Sequence, residues 1–335
     1  MEPIVLITGF EPFGGETINP SWEAVQRLPE RIGGFTIRKL QIPTVFEAAA
    51  QKVLSEAEGC QPRVILSVGQ AGGRKEITPE RIGVNLRRAA TPDNAGNQPQ
   101  GEGIVLNGPD GIFSTCPVEA MAEAVRGAGL PGRVSDSAGT FVCNDVLYTL
   151  LSHYAGTDTL VGFVHVPFLP EQGSPSLPLA DTVKGLTAAL EAIWERLDWE
   201  DAKHRLLTGG FTCVFRKGER ELTDTRRGVR PLLELLKSGE DFEGWSVADK
   251  VVGKASALLY CLLKVKRVYA PIISRSALEV LESHGIPCEY HRLVPGIRNR
   301  TGTGPCPMEA ATANITDPKE APEVLEKTLQ ALTKG

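Results

Sequence analysis

The sequence has no apolar run near the ~18–20 residues that a membrane-crossing helix needs, which argues against a membrane protein. It has no block of lysine or arginine, and its net charge is -5, so it is a poor match for nucleic acid. Met1-Glu2-Pro3 carries no basic stretch ahead of the first apolar residues, so no secretory signal is expected. No Cys-x-x-Cys pair occurs among seven scattered cysteines. An odd number without pairing motifs argues against a disulfide framework and a zinc ribbon, and for free thiols in a reducing cytoplasm. Internal repeats and low-complexity tracts are also missing. What is present is 335 residues of ordinary globular composition, 41% hydrophobic and 23% charged. At roughly 100–200 residues per domain, that length suits about two domains.

The first part alternates strand and helix signals. Apolar runs at Ile4–Ile7, Val64–Val68 and Leu160–Val166 read as strands, as does Phe35–Ile42, with helices at Val45–Ala57 and Val118–Val125. Asn19-Pro20 is a cap followed by a first-turn proline, opening a helix that ends at Pro29. Continuous apolar strands separated by amphipathic helices predict an α/β unit, a mainly parallel sheet covered on both faces. A helix over Leu179–Leu197 closes it, and polar Asp198–Lys203 reads as a linker. The second part is expected to hold a strand at Phe211–Phe215 and a hairpin return at Glu219–Thr223. Helices follow at Val229–Lys237 and Val247–Leu263, then a strand at Arg267–Ile273. A helix at Ser276–His284, a strand at Cys288–His291, and helices at Met308–Ile315 and Pro322–Leu332 complete the reading. The expected domains are 1–198 and 206–335.

Three residues carry candidate chemistry. Cys143 follows the Gly139 turn and opens a helical pattern, a position where free N–H groups and the helix dipole favour a thiolate. His165 ends a buried strand, where sites form in parallel sheets. Glu80 lies downstream of the glycine-rich turn Gly69–Gly73. Each has a plain alternative: a space-filling cysteine, a satisfied core histidine, and a surface carboxylate paired with Arg81. Together they can form a nucleophile, base and orienting acid.

The local motifs decide between these readings. Thr8-Gly9-Phe10-Glu11-Pro12-Phe13-Gly14-Gly15, Asn19-Pro20-Ser21, Gly69-Gln70-Ala71-Gly72-Gly73-Arg74 and Ile77-Thr78-Pro79-Glu80-Arg81 occur in one order. Pro92-Asp93-Asn94, Ser137-Ala138-Gly139-Thr140-Phe141-Val142-Cys143-Asn144 and His165-Val166-Pro167-Phe168-Leu169-Pro170-Glu171-Gln172 follow. From Ile4 to about Arg196 the chain resembles the pyroglutamyl peptidase I family of cysteine peptidases. The resemblance implies a three-layer αβα sandwich that removes N-terminal pyroglutamate from peptides. By it, Cys143 is the nucleophile, His165 the base and then acid, and Glu80 the orienting carboxylate. It implies a cytoplasmic homo-oligomer with no cofactor and no metal. A neutral lactam calls for an apolar pocket with a few polar contacts; Phe10, Phe13 and Phe141 are candidate walls, and Asn19 and Gln70 candidate contacts. One position departs from the family pattern. An oxyanion-stabilising arginine is usual two residues before Pro92, and here it is Ala90. Arg87, Arg88 and the Cys143 N–H are the substitutes to examine. An alternative reading follows, a catalytically weak or inactive peptidase serving as a binding or sensor protein.

The second half resembles a prokaryotic domain of unknown function with a cytidine-deaminase-like fold. The stretches are Thr225–Leu233, Ala248–Ala255, Val268–Ser274 and Asn299–Glu309. A zinc deaminase needs His-x-Glu and Pro-Cys-x-x-Cys at two helix starts. Here Ala248-Asp249-Lys250 and Ile272-Ile273-Ser274 stand at those starts, and Pro305-Cys306-Pro307-Met308 lacks a second cysteine. Zinc-dependent deamination is therefore not expected. Asp249, Lys250, Lys254, Arg298, Arg300 and the Thr301–Gly304 turn suggest a nucleotide-like, phosphate-bearing ligand. A structural or oligomerisation module is the other reading. Cys213, Cys261 and Cys288 read as core cysteines.

Overall fold

The computed structural model describes residues 3–218, 220–299 and 301–334; the expectations placed on Glu219 and Arg300 lie outside these residues. The chain divides into two compact units, Met1–Arg196 and Leu197–Gly335.

The first unit is a six-stranded sheet in the order Arg31–Ile32, Phe35–Ile42, Ile4–Phe10, Val64–Gln70, Leu160–Val166, Thr78–Pro79. The four long strands are parallel, and the two short edges are antiparallel. Val5, Leu6, Ile7, Val64, Ile65 and Leu66 are fully buried, because helices cover both faces of a parallel sheet. Burying each such side chain is worth roughly 1.5–3 kcal/mol. The helices are α1 (Pro20–Val25), α2 (Ala48–Cys60), α3 (Val118–Gly127), α4 (Val142–His153) and α5 (Leu179–Thr208). Side chains alternate across a strand. Leu6, Phe10, Ile65, Val161 and Phe163 share one face and pack with Ala49 and Val53 of α2 and Val146 and Leu150 of α4. The opposite face meets α1 and α5. A Cβ on Gly9 would stand 2.7 Å from Trp22 Cα, and one on Gly34 would stand 2.2 Å from the Trp194 ring. Glycine is required at both positions for this close approach. The result is the three-layer αβα arrangement.

Asn19 caps α1, its Oδ1 accepting from Ser21 N at 3.1 Å, but the helix stops at Val25, short of the expected Pro29. No linker forms at Asp198–Lys203, because α5 continues to Thr208. Trp199, Ala202 and Leu206 fall at helical spacing and pack on Val214, Ala248 and Tyr269 in the second unit's core. That stripe outweighs the charged residues between.

The second unit is a mixed sheet in which Arg220–Asp224, Cys213–Lys217, Ser246–Asp249 and Arg267–Ser274 are successive neighbours. Val251–Val252 and Cys288–Val294 pair with Arg267–Ser274 in parallel. It carries α6 (Arg230–Ser238), α7 (Lys254–Leu262), α8 (Arg275–Ser283), α9 (Pro307–Ala311) and α10 (Ala321–Lys334). Phe215, Trp245, Val247, Leu258, Tyr260, Ile273, Leu281 and Leu325 form its core. The helix expected over Val247–Leu263 begins only at Lys254. Ser246–Asp249 is instead a strand held on both sides, and Gly253 caps the helix. The β-branched Val247, Val251 and Val252 fit that outcome.

Candidate active site

Topology brings Glu80 and His165 together. After the Gly69–Gly73 turn the chain returns along the outer edge of the strand Leu160–Val166. Thr78 pairs with His165, and Glu80 N donates to Phe163 O at 2.9 Å. His165 Nδ1 then stands 2.7 Å from Glu80 Oε1, with the carboxylate fully buried and the imidazole 6% exposed. This bond leaves Nε2 as the nitrogen available for proton transfer. Phe163 packs beside the ring, at 4.8 Å between centroids.

Cys143 comes from α4. Phe141 is the N-cap and no side chain caps it, so the N–H groups of the first turn, Cys143 among them, are the donors on offer. Asn144 pins the helix by accepting from Val84 N and donating to Val84 O and Leu86 O. Asp145 accepts from Glu47 N and Arg87 Nε. The thiol lies against Gly69, where a Cβ would sit 2.9 Å from Sγ and 2.8 Å from the Phe163 ring. Gly69 is the register partner of His165 on the neighbouring strand. Thiol, imidazole and carboxylate therefore share one face at the carboxyl end of the parallel strands.

Electrostatics differ from the sequence expectation for the thiol. Burial pushes Cys143 up to about 12, with the Glu80 charge adding to the rise. The thiol's own backbone N–H and the Arg74 charge pull the other way and lose. Both causes of the rise favour the thiol over the thiolate. Burial also works to raise Glu80, but the hydrogen bond and charge of His165, followed by bonds from Ser135 and Arg74, hold it below the ordinary carboxylate range.

The candidate pocket residues separate. Phe13 and Phe141 face each other at 5.9 Å, and Phe46, which sequence reading passed over, meets Phe141 edge-on at 5.3 Å. Phe46 N donates to Asp93 Oδ2, so the Pro92-Asp93-Asn94 motif was the available signal. Phe10 is 2% exposed and packs in the core against Phe163. Asn19 is spent on the α1 cap and on Glu11 O, to which its Nδ2 donates at 3.0 Å. Gln70 Oε1 accepts from Gln172 Nε2 at 3.1 Å, which leaves the Gln70 NH2 to donate. Of the substitutes for Ala90, Arg87 is committed to Asp145 and Glu47. Arg88 exchanges hydrogen bonds with Thr140, through its backbone. The exposed Ala90 contributes its carbonyl to Gln98.

In the second unit Lys254 Nζ donates to Ala313 O and Arg298 Nη1 to Gly302 O. The Thr301–Gly304 turn is closed by Asn299 Oδ1, which accepts from Thr303 N and Gly304 N. Asp249 accepts from Tyr260 OH at 2.6 Å, and burial lifts its carboxyl to about 6. Two of the cations behind the nucleotide expectation, Lys254 and Arg298, are thus spent on their own chain, and that expectation finds no support. Among the described residues no group of three His, Cys, Asp or Glu is placed to hold a metal ion, and no helix is long and apolar enough to cross a membrane.

Comparison with known proteins divides the chain in the same region. Residues 4–196 match the pattern of the pyroglutamyl peptidase family, and residues 201–329 match a domain of unknown function (DUF1893). A pyrrolidone-carboxylate peptidase of Levilactobacillus brevis is 53% identical over 197 residues, 56% of this chain and 96% of that protein. One from Staphylococcus haemolyticus is 48% identical over 206 residues, 59% of this chain and 96% of its own. The crystal structure of Bacillus amyloliquefaciens pyroglutamyl peptidase I superposes with a TM-score of 0.56 at 44% identity, covering 57% of this chain and 97% of that one. A mutant pyrrolidone carboxyl peptidase from Pyrococcus furiosus gives 0.56 at 36% identity, covering 58% and 99%.

Proposed function

Since residues 4–196 make this chain a member of the pyroglutamyl peptidase family, a cysteine peptidase that releases N-terminal pyroglutamate, we propose that Cys143, His165 and Glu80 carry out the reaction. The observation that supports this assignment best is the 2.7 Å bond between Glu80 Oε1 and His165 Nδ1, on the sheet face where the Cys143 thiol rests against Gly69.

In this mechanism His165 Nε2 takes the Sγ proton as sulfur attacks the pyroglutamyl carbonyl carbon. The oxyanion forms opposite the Cys143 N–H. Collapse breaks the C–N bond, and His165 returns the proton to the leaving amine, leaving a thioester. Water then attacks, with His165 again the base, and releases pyroglutamic acid and the thiol. A thiol raised to about 12 makes proton removal part of the attack. The lactam rests among Phe13, Phe141 and Phe46, and the free Gln70 NH2 donates to its carbonyl. With alanine at position 90, the oxyanion lacks a side-chain donor from that position. Such a donor is typically worth about 10²–10³ in rate.

The test is hydrolysis of a chromogenic pyroglutamyl amide beside the same leaving group on prolyl and alanyl residues. We expect kcat/KM at least about 10²-fold higher for the lactam, because the free-amine substrates bring an unpaired charge into an aromatic pocket. Equal rates would remove the lactam-pocket reading. A second expectation concerns Gly69→Ala. The added methyl displaces Sγ by roughly an ångström, and a misplacement of that size costs about 10²-fold. Steady-state rates with KM nearly unchanged check it; activity near the unsubstituted level would show that the thiol does not work from this position.

A further inference from the structure

Arg74 entered the sequence reading only as the end of the glycine-rich motif. In the structure it is the charge that neutralises Glu80. Glu80 Oε1 accepts from both His165 Nδ1 and Arg74 Nη1, each at 2.7 Å. Glu80 Oε2 is buried without a hydrogen-bond partner, so the carboxylate's bonds all run through one oxygen. Arg74 Nη1 also donates to Thr78 Oγ1 at 2.7 Å and Ser135 Oγ at 3.3 Å, and Nη2 to Ser137 O at 3.3 Å. One guanidinium thus ties together the glycine-rich turn, the edge strand beside His165, and the segment that leads into Cys143. Its side chain is 27% exposed against 0% for Glu80.

We propose that Arg74 is a positioning residue of the peptidase, acting through Glu80: it holds the carboxylate's rotamer and offsets part of its charge, so that Glu80 is fixed where it orients His165. The proposal rests on the Cys143, His165 and Glu80 assignment above. The physics is a balance of two demands on Glu80. The base needs a partner that anchors the Nδ1 proton and steadies the imidazolium that forms during attack. A bare buried carboxylate at 2.7 Å overdoes this, because an opposite charge so close favours the imidazolium even before substrate arrives. A cation on the same oxygen offsets part of that charge. The charged and titratable groups around His165 are Glu80 from the edge strand, Arg74 behind it, and Cys143 from α4 across Gly69. The neighbouring Arg81 is turned to Asp136 and Glu119, outside this chain of bonds.

The experiment uses the full chain and follows kcat, KM and the pH profile of kcat/KM for Arg74→Gln and Arg74→Lys. Glutamine keeps a donor for Glu80 and drops the charge; lysine keeps the charge and loses the fork. Arg74→Gln should lower kcat by about 10- to 100-fold with KM within about threefold, and move the acid limb upward by about one pH unit. Arg74→Lys should return the limb to within about half a unit of the parent. Thermal melts set an assay temperature at which every variant is folded. An acid limb that stays in place in Arg74→Gln overturns the proposal, as does a change confined to KM. So does a limb that moves equally in Arg74→Lys. Failure of the underlying assignment shows separately, as parent activity that survives Cys143→Ala.

Discussion

Cys143→Ala is expected to lose about 10⁴-fold or more of the rate on a pyroglutamyl amide, while remaining folded. The reasoning is local. The bond-forming atom of the proposed mechanism is Sγ, and alanine deletes that atom and little else. The change removes one heavy atom from a half-buried side chain and should cost the fold no more than about 1 kcal/mol. The remaining cysteines offer no replacement. Cys116 is buried and pushed up to about 12 with no acid–base partner among its causes, and Cys213 is held far above the ordinary thiol range by burial. Cys60 packs against the first unit's core with its thiol raised by burial, and Cys261, Cys288 and Cys306 pack against the core of the other unit. Rates measured at a fixed folded concentration, with melting curves alongside, provide the check. A folded variant keeping more than about 1% of the rate would move the nucleophile elsewhere.

Glu80→Gln should be the second largest loss, about 10²- to 10⁴-fold in kcat with KM little changed, by analogy with removing the orienting acid of a serine-peptidase triad. The amide has nearly the carboxylate's shape, so packing survives. It cannot stabilise the imidazolium, and it leaves the Arg74 charge without its partner. Stability should respond as well. Glu80 is held below the ordinary carboxylate range despite burial, by its interactions with His165, Ser135 and Arg74. Its contribution to folding is therefore present above the unfolded value and is lost as pH falls through the lowered folded value. The parent should lose melting temperature on acidification through that window, and Glu80→Gln should lose less of it. A variant with kcat within threefold of the parent would contradict the orienting role.

Much of the fold was readable because three of the four long strands, Ile4–Phe10, Val64–Gln70 and Leu160–Val166, are buried on both faces and so stand out as apolar runs, while Phe35–Ile42 shows through its alternation of apolar and polar residues. Leu160–Val166 and Phe35–Ile42 form over the residues their composition indicates. The errors fell where tertiary contacts overrule local pattern. Ser246–Asp249 became a strand because it is held between Cys213–Lys217 and Arg267–Ser274, a pairing no local window contains. Asp198–Lys203 stayed helical because Trp199, Ala202 and Leu206 found a core to enter.

At the site the division is sharper. By itself the sequence determined the family and the chemistry on offer, since side-chain identity and motif order are one-dimensional facts. A cysteine after a glycine turn, a histidine at a strand end and an acid after a glycine-rich turn are all written in the chain. Only the tertiary structure decided how these groups perturb one another. It set the thiol's protonation against the helix-start expectation, because burial and the Glu80 charge reach Cys143 through space. It withdrew Asn19 into a cap and Phe10 into the core, and it brought Arg74 onto the oxygen that holds His165. Desolvation and Coulomb interactions depend on distances between segments far apart in the chain, so they exist only once the sheet has assembled.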